Sequence, residues 1–358
     1  MTVFNSEHKT TQMFLGEELG VQEYINPRYP IFKKLADLQL DSRWRETEVP
    51  LNEDILQMNT LSPELQRIVN YNFGFQILAD SIQGRGPAIF MLAASAPEVE
   101  LCIGEWLSSE QLHSRTYTHV LRSLYPDPEV ILRLIPQTKE LLDRVKALIE
   151  YQDAFANAFF LYKAQGLKVD DYLREKLMDA MVATNILESI QFYVSFANTF
   201  GLAEMKLFEG VAKDLQFIMR DENMHVGITQ NIINNWRNGV DGASWQNIWN
   251  KNVEKYRNMF RIAIASEQNF ALFLYEGDSP IIGLNGKVMC SYIEFKGNKR
   301  MVNIGLEPLT SLDKDPLPWI QRNWVGDKQV APQETQKTDY RTGNIRLTGK
   351  PLSRGSLK

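Results

Sequence analysis

Two short stretches of this sequence pair a glutamate with a histidine three residues later. They are Glu110 and His113 in SSEQLHSRTYTH, and Glu222 and His225 in RDENMH. Residues three apart share one face of a helix, so each pair can offer a carboxylate and an imidazole in the same direction. A single Glu-x-x-His arises easily by chance. Two of them, 112 residues apart on helical stretches, form a stronger pattern. A lone acid inside an apolar stretch precedes each: Asp80 in QILADSIQG, 30 residues before Glu110, and Glu188 in NILESIQFY, 34 residues before Glu222. The order acid, Glu-x-x-His, acid, Glu-x-x-His is that of a four-helix bundle holding two metal ions.

The residue types suit that chemistry. A core tolerates carboxylates poorly unless they are paired or bound to a cation. Four carboxylates bring four negative charges, which two divalent ions neutralise. Iron and manganese accept mixed oxygen and imidazole ligands, and two histidines leave positions open for oxygen. Carboxylates can bridge two ions about 4 Å apart. Tyr117 lies four residues beyond His113 and seven beyond Glu110, on the same face. Phe192 and Phe196 follow Glu188 by four and eight residues, and Ile218 precedes Glu222 by four. These groups would line the metal face and shield a tyrosine suited to losing one electron and one proton. The competing reading is a set of surface acids and satisfied core histidines.

Long helices must position these residues. The stretch 60–84 has Ser62 to cap it, Pro63 for its first turn and Gly84 to end it. Residues 96–125 hold only one glycine, with Pro126 and Asp127 following. Further helices are expected at 137–165, 170–200, 202–236, 247–275 and 287–306, with a short one at 31–44. Proline is absent between residues 137 and 236, which favours long helices. The fold class is therefore all-α, a large bundle over 31–324. Residues 1–30 read as an irregular arm, and the polar, glycine- and proline-bearing stretch 325–358 as a mobile tail.

Bulk properties exclude several classes. The net charge of −5 carries no basic signature for nucleic acid or an anionic membrane. No apolar run reaches the ~18 residues of a membrane span, no signal peptide is evident, and the two cysteines fit a reducing compartment. A cytoplasmic location is expected. GRGP at residues 84–87 is too short for a phosphate-binding loop.

ADSIQGR, SSEQLHSRTYTH, ILESIQFYVSF and RDENMH, with IGLNGKVMCSYIEFKGNKRM, LPWI and VAPQE, resemble the small, radical-generating subunit of class I ribonucleotide reductase over roughly residues 24–334. The resemblance implies a ferritin-like bundle, usually a homodimer, that works with a large subunit carrying the nucleotide site. It implies that Asp80, Glu110 and His113 hold one metal, and Glu188, Glu222 and His225 the other. Iron is the expected metal, with dimanganese or manganese–iron using nearly the same ligands. Tyr117 matches the radical tyrosine, with Phe192, Phe196 and Ile218 as its apolar pocket. Trp44, in DSRWRE, matches the tryptophan on the route to the large subunit. Asp221 matches the aspartate that links that tryptophan to His113, and Tyr340 the tyrosine of the tail. One departure stands out: residues 341–358 carry five basic residues and no acid, where the family's tails tend to be acidic. Two other readings are a ferritin-like iron store or ferroxidase, which would use the same six ligands, and a di-metal monooxygenase component.

Overall fold

The computed structural model describes residues 12–17, 21–276, 280–311 and 314–323. Within them the chain runs through α1 (Pro30–Asp41), α2 (Asn52–Met58), α3 (Pro63–Gln83), α4 (Gly86–Ala93), α5 (Pro97–Leu124), α6 (Glu129–Leu134), α7 (Lys139–Gln165) and α8 (Asp171–Ile186). A π-helical segment (Leu187–Gln191) joins α8 to α9 (Tyr193–Glu204), followed by α10 (Glu209–Arg237), α11 (Ala243–Leu274) and α12 (Gly286–Asn303). The only strand pairing among the described residues is an isolated bridge between Phe14 and Ala94. The fold is all-α and ferritin-like. Its centre is formed by α3, α5, the α8–π–α9 run and α10. Around them α1 packs on α5, α7 on α8, and α11 on both α8 and α12.

Local chemistry explains several boundaries. The Ser62 side chain accepts from Leu65 N at 3.3 Å, with Pro63 in the first turn, so α3 starts as its sequence suggests. Such a cap is worth about 1 kcal/mol. Asp170 caps α8 in the same way, accepting from Leu173 N at 3.0 Å. Gly166, at φ +62°, ends α7 in the left-handed region that glycine enters most easily.

Two expectations need correction. The stretch 170–200 is not one α-helix: the ladder widens to π pairing at Leu187–Gln191, then resumes. Outside this segment stands Arg144 of α7, which donates to Gln191 O at 2.6 Å. The Glu267 carboxylate of α11 holds that guanidinium through two contacts of 2.6 Å. The helix expected at 202–236 starts instead at Glu209, because Leu202 still belongs to α9. The break contains neither glycine nor proline. The chain turns through left-handed Lys206 (φ +63°) and Phe208 (φ +54°). Here α2, unforeseen in the sequence, supplies the partners. Gln57 accepts from Phe208 N at 2.7 Å, and Asp54 accepts from Val211 N at 2.9 Å, capping α10.

Part of the N-terminal stretch packs into the core. Met13 and Phe14 are fully buried, and Met13 N donates to Asp241, which also accepts from Tyr29 and Trp236. No helix among the described residues is long and apolar enough to cross a membrane. Both cysteines are free.

Candidate metal centre

Four helical elements deliver the six spaced acids and histidines to one buried place. Asp80 comes from the last turn of α3, Glu110 and His113 from the middle of α5, Glu188 from the π segment, and Glu222 and His225 from α10. None is more than 1% exposed. They form two overlapping groups: Asp80, Glu110, His113 and Glu222, and Glu110, Glu188, Glu222 and His225. The donor atoms of each lie within 4.8 Å of one another. Glu110 and Glu222 belong to both groups, which is the placement of carboxylates that bridge two ions.

The contacts between the groups are close. His113 Nδ1 lies 3.1 Å from Glu222 and 3.6 Å from Glu110. His225 Nδ1 lies 2.9 Å from Glu222 and 3.0 Å from Glu110. Yet both oxygens of Asp80, one oxygen each of Glu110, Glu188 and Glu222, and His113 Nδ1 find no hydrogen-bond geometry. Buried polar atoms are almost always satisfied, so this concentration of unsatisfied acceptors fits a cation held by all of them.

Electrostatics points the same way. Burial, then the charges of Glu110 and Glu222, push Asp80 well above the usual carboxylate range. Burial and the same two neighbouring glutamate charges push Glu188 up. Burial opposes charge on both imidazoles. For His113, however, bonds to Asp221, Glu110 and Glu222 outweigh burial, and for His225 the charges of Glu110 and Glu222 do so. Both rings are thereby held well above the imidazole range. Protons on these groups occupy the place that metal binding would claim, and binding would release them.

His113 is oriented from behind. Its Nε2 lies 3.3 Å from Asp221 Oδ2, which also accepts from Trp44 Nε1 at 2.8 Å. The Trp44 and His113 rings lie 6.3 Å apart at 27°. With a metal bound, an Nε2–H directed at Asp221 would leave Nδ1 as the lone-pair nitrogen facing the acids. Trp44 sits beyond the end of α1, where Arg220 ties its segment to α10 by donating to Ser42 O. A polar cavity of about 490 Å³ opens beside Trp44 and Asp221, lined also by Arg43, Arg45, Glu46 and Arg115.

Tyr117 is fully buried, one turn beyond His113, and its hydroxyl has no hydrogen-bond partner. Burial first, then the charges of Asp80, Glu222 and Glu110, hold it well above the phenol range. Phe192, Phe196 and Ile218 are fully buried in the same core. His119, the other imidazole of that stretch, is only partly buried and belongs to neither group. Tyr340 lies outside the described residues.

Three neighbours escaped the sequence reading. Trp106 donates to Glu110 Oε1 at 2.8 Å, Ser109 donates to Asp221 Oδ2 at 3.3 Å, and Gln83 donates to Glu188 Oε1 at 2.7 Å. Trp106 stands four residues before Glu110 and was legible as a helical neighbour. The other two contacts join different helices, and spacing carries no trace of them.

Comparison with known proteins bears on the family and the fold. The family described as ribonucleotide reductase, small chain, matches residues 22–315. Ribonucleoside-diphosphate reductase 1 subunit beta of Escherichia coli O157:H7 is 35% identical over 346 residues, 93% of this chain and 92% of that protein. The ribonucleoside-diphosphate reductase subunit beta of Enterobacteria phage T4 is 35% identical, covering 96% and 95%. In fold, the chain is similar to the ribonucleotide reductase R2 subunit from Clostridium botulinum (TM-score 0.79, 24% identity, 90% of this chain and 98% of that one). It is also similar in fold to the dimanganese(II)-NrdF of Streptococcus sanguinis (TM-score 0.69, 18% identity, 86% and 100%). A carboxylate–histidine constellation on a ferritin-like bundle, a family match over most of the chain and full-length relatives lead to one assignment: the chain belongs to the ribonucleotide reductase small-chain family.

Proposed function

We propose that this chain is the radical-generating small subunit of a class I ribonucleoside-diphosphate reductase. In this reading Asp80, Glu110 and His113 would hold one metal and Glu188, Glu222 and His225 the other. Iron is the proposed metal. The manganese pair named for the Streptococcus sanguinis protein of similar fold makes manganese, or a mixed pair, the alternative. A bound metal pair would supply oxygen activation and the oxidising equivalent for Tyr117. The chain's own part is to hold that tyrosine neutral and dry. Its hydroxyl is buried, and Asp80 is the carboxylate that acts on it most strongly. Phe192, Phe196 and Ile218 keep water away from the ring.

Trp44, Asp221 and His113 form the proposed way out. Asp221 is held below the usual carboxylate range despite its burial, by the His113 bond and charge first, then by Arg220 and Trp44. It can therefore accept from the indole and the imidazole together. The partner is a large subunit, which binds nucleotide and performs the reduction; the active small subunit is a homodimer. Residues 31–324 carry the metal chemistry, and 325–358, with Tyr340, serve docking and relay.

The observation that carries this reading is the hydrogen-bonded line Trp44–Asp221–His113 joining the metal group to a surface cavity. A ferroxidase or iron store needs the six ligands and not this line. The test is Tyr117→Phe, loaded aerobically with ferrous iron. Two metals per chain, no tyrosyl radical by electron paramagnetic resonance, and no deoxynucleotide formation with the large subunit are expected. A normal radical signal would refute the assignment.

A further inference from the structure

Glu188 and Asp80 occupy corresponding places in the two halves of the site, yet their surroundings differ. Both oxygens of Asp80 lack a hydrogen-bond partner, whereas only Oε2 of Glu188 does. Oε1 of Glu188 accepts from Gln83 Nε2 at 2.7 Å. Gln83 is fully buried in the final turn of α3. Its own Oε1 accepts at 3.1 Å from Gln152 Nε2 of α7, which also donates to Thr184 Oγ1 of α8 at 3.2 Å.

This chain of bonds has one sense. A carboxylate that holds a cation only accepts, so in the metal-bound site the Gln83 NH2 must face Glu188 and its carbonyl must face Gln152. Gln152 then has to present its own NH2. Turning either amide over would set oxygen against oxygen in a buried place. The space for the pair is also specified. A Cβ on Gly86, where α4 begins, would stand 2.6 Å from Gln152 Nε2 and 2.8 Å from Gln83 Oε1. To admit a Cβ there, one or both amide ends must move from their bonded places.

We propose that Gln83, seated by Gln152 and Thr184, is a positioning residue that reserves Oε1 of Glu188 and leaves Oε2 as the single oxygen offered to a cation. Oε2 already faces the donor group, 3.8 Å from His225 Nδ1. Without the Gln83 amide, Oε1 becomes a second ligand oxygen and the carboxylate is free to rotate. The coordination at this position then changes while the other position, which Gln83 does not touch, keeps its own. This rests on the reading of Glu188 as a metal ligand.

The test is anaerobic titration of the full chain with Co(II), read by visible absorption, which reports coordination number, with circular dichroism as the fold control. Gln83→Met keeps length and removes the donor. The variant is expected to keep its helicity, to bind one Co(II) as the wild type does, and to bind the other roughly tenfold to a hundredfold more weakly, as loss of a ligand's hydrogen-bond partner typically costs. The absorption band of the weakened ion should change. Gly86→Ala should reproduce the effect from outside the bond chain, and Gln152→Met in milder form. Gln83→Met with Gln152→Met should be no worse than Gln83→Met alone, because the two act through one bond. Should Gln83→Met fail to fold, Gly86→Ala and Gln152→Met decide by the same readout. Two Co(II) bound with wild-type affinity and spectrum in the folded variants would overturn the proposal. A wild-type chain that binds no Co(II) would overturn the metal reading itself, and this inference with it.

Discussion

Asp80→Asn tests the metal site through stability alone. Asparagine keeps the shape of the side chain and removes one of four buried carboxylates crowded into the two groups. In the metal-free protein burial, then the charges of Glu110 and Glu222, oppose ionisation of Asp80, so folding must protonate a carboxyl that asparagine replaces with a group already neutral. The variant should therefore be at least as stable as the wild type. With metal the order reverses. A ligand present at a hundred times its Kd stabilises by about 2.7 kcal/mol per site. Unfolding entropy of about 2.1 cal/mol/K per residue, over the chain's 358 residues, makes 1 kcal/mol worth about 1.3 °C of Tm. Each filled site then raises Tm by about 3.6 °C, and both together by about 7 °C. The assay is thermal unfolding under anaerobic conditions across a Mn(II) series. Wild-type protein should gain about 7 °C, and Asp80→Asn about half of that or less. An undiminished metal-dependent gain in Asp80→Asn would refute the role given to this carboxylate.

Three further perturbations address other parts of the molecule. Trp44→Phe keeps a ring but loses the N–H donated to Asp221; metal content and radical yield should persist while deoxynucleotide formation with the large subunit falls to background, and normal turnover would remove Trp44 from the route. Asp214 is buried, and burial, then the charges of Asp54 and Glu48, push its carboxyl up to about 8. The folded state therefore holds a proton that the unfolded chain releases near pH 4, so stability falls as pH rises between these values. Asp214→Asn should flatten that fall and raise stability at pH 8 by up to about 5 kcal/mol, at 1.36 kcal/mol per unit; urea midpoints measured from pH 5 to 8 that run parallel to the wild type would count against it. Arg144→Met leaves Glu267 buried without its partner and should cost about 3–5 kcal/mol in urea unfolding. Adding Glu267→Leu should recover much of that loss, and a single variant as stable as the wild type would show that the pair does not hold the π segment.

What could be read from the chain alone was local and repeated. Glu110 with His113, and Glu222 with His225, are set by helical geometry within one turn, and Ser62–Pro63 marks a helix start by a cap that needs no distant partner. The all-α class and the family followed from such features because each is complete within a short stretch. Tertiary structure decided what depends on residues far apart in sequence. Glu110 and Glu222 are shared by both donor groups only because α5 and α10 pack against each other there. The π segment carrying Glu188 is a widened helical ladder beside the Arg144–Glu267 pair of α7 and α11, and nothing in NILESIQFY announces it. The start of α10 at Glu209 depends on two caps from α2, Gln57 on left-handed Phe208 and Asp54 on Val211, which no glycine or proline betrays. Gln83 stood in plain view in ADSIQGR. Its partners, Glu188 and Gln152, lie 105 and 69 residues away, and hydrogen bonds across such distances leave no periodic signal in a single sequence.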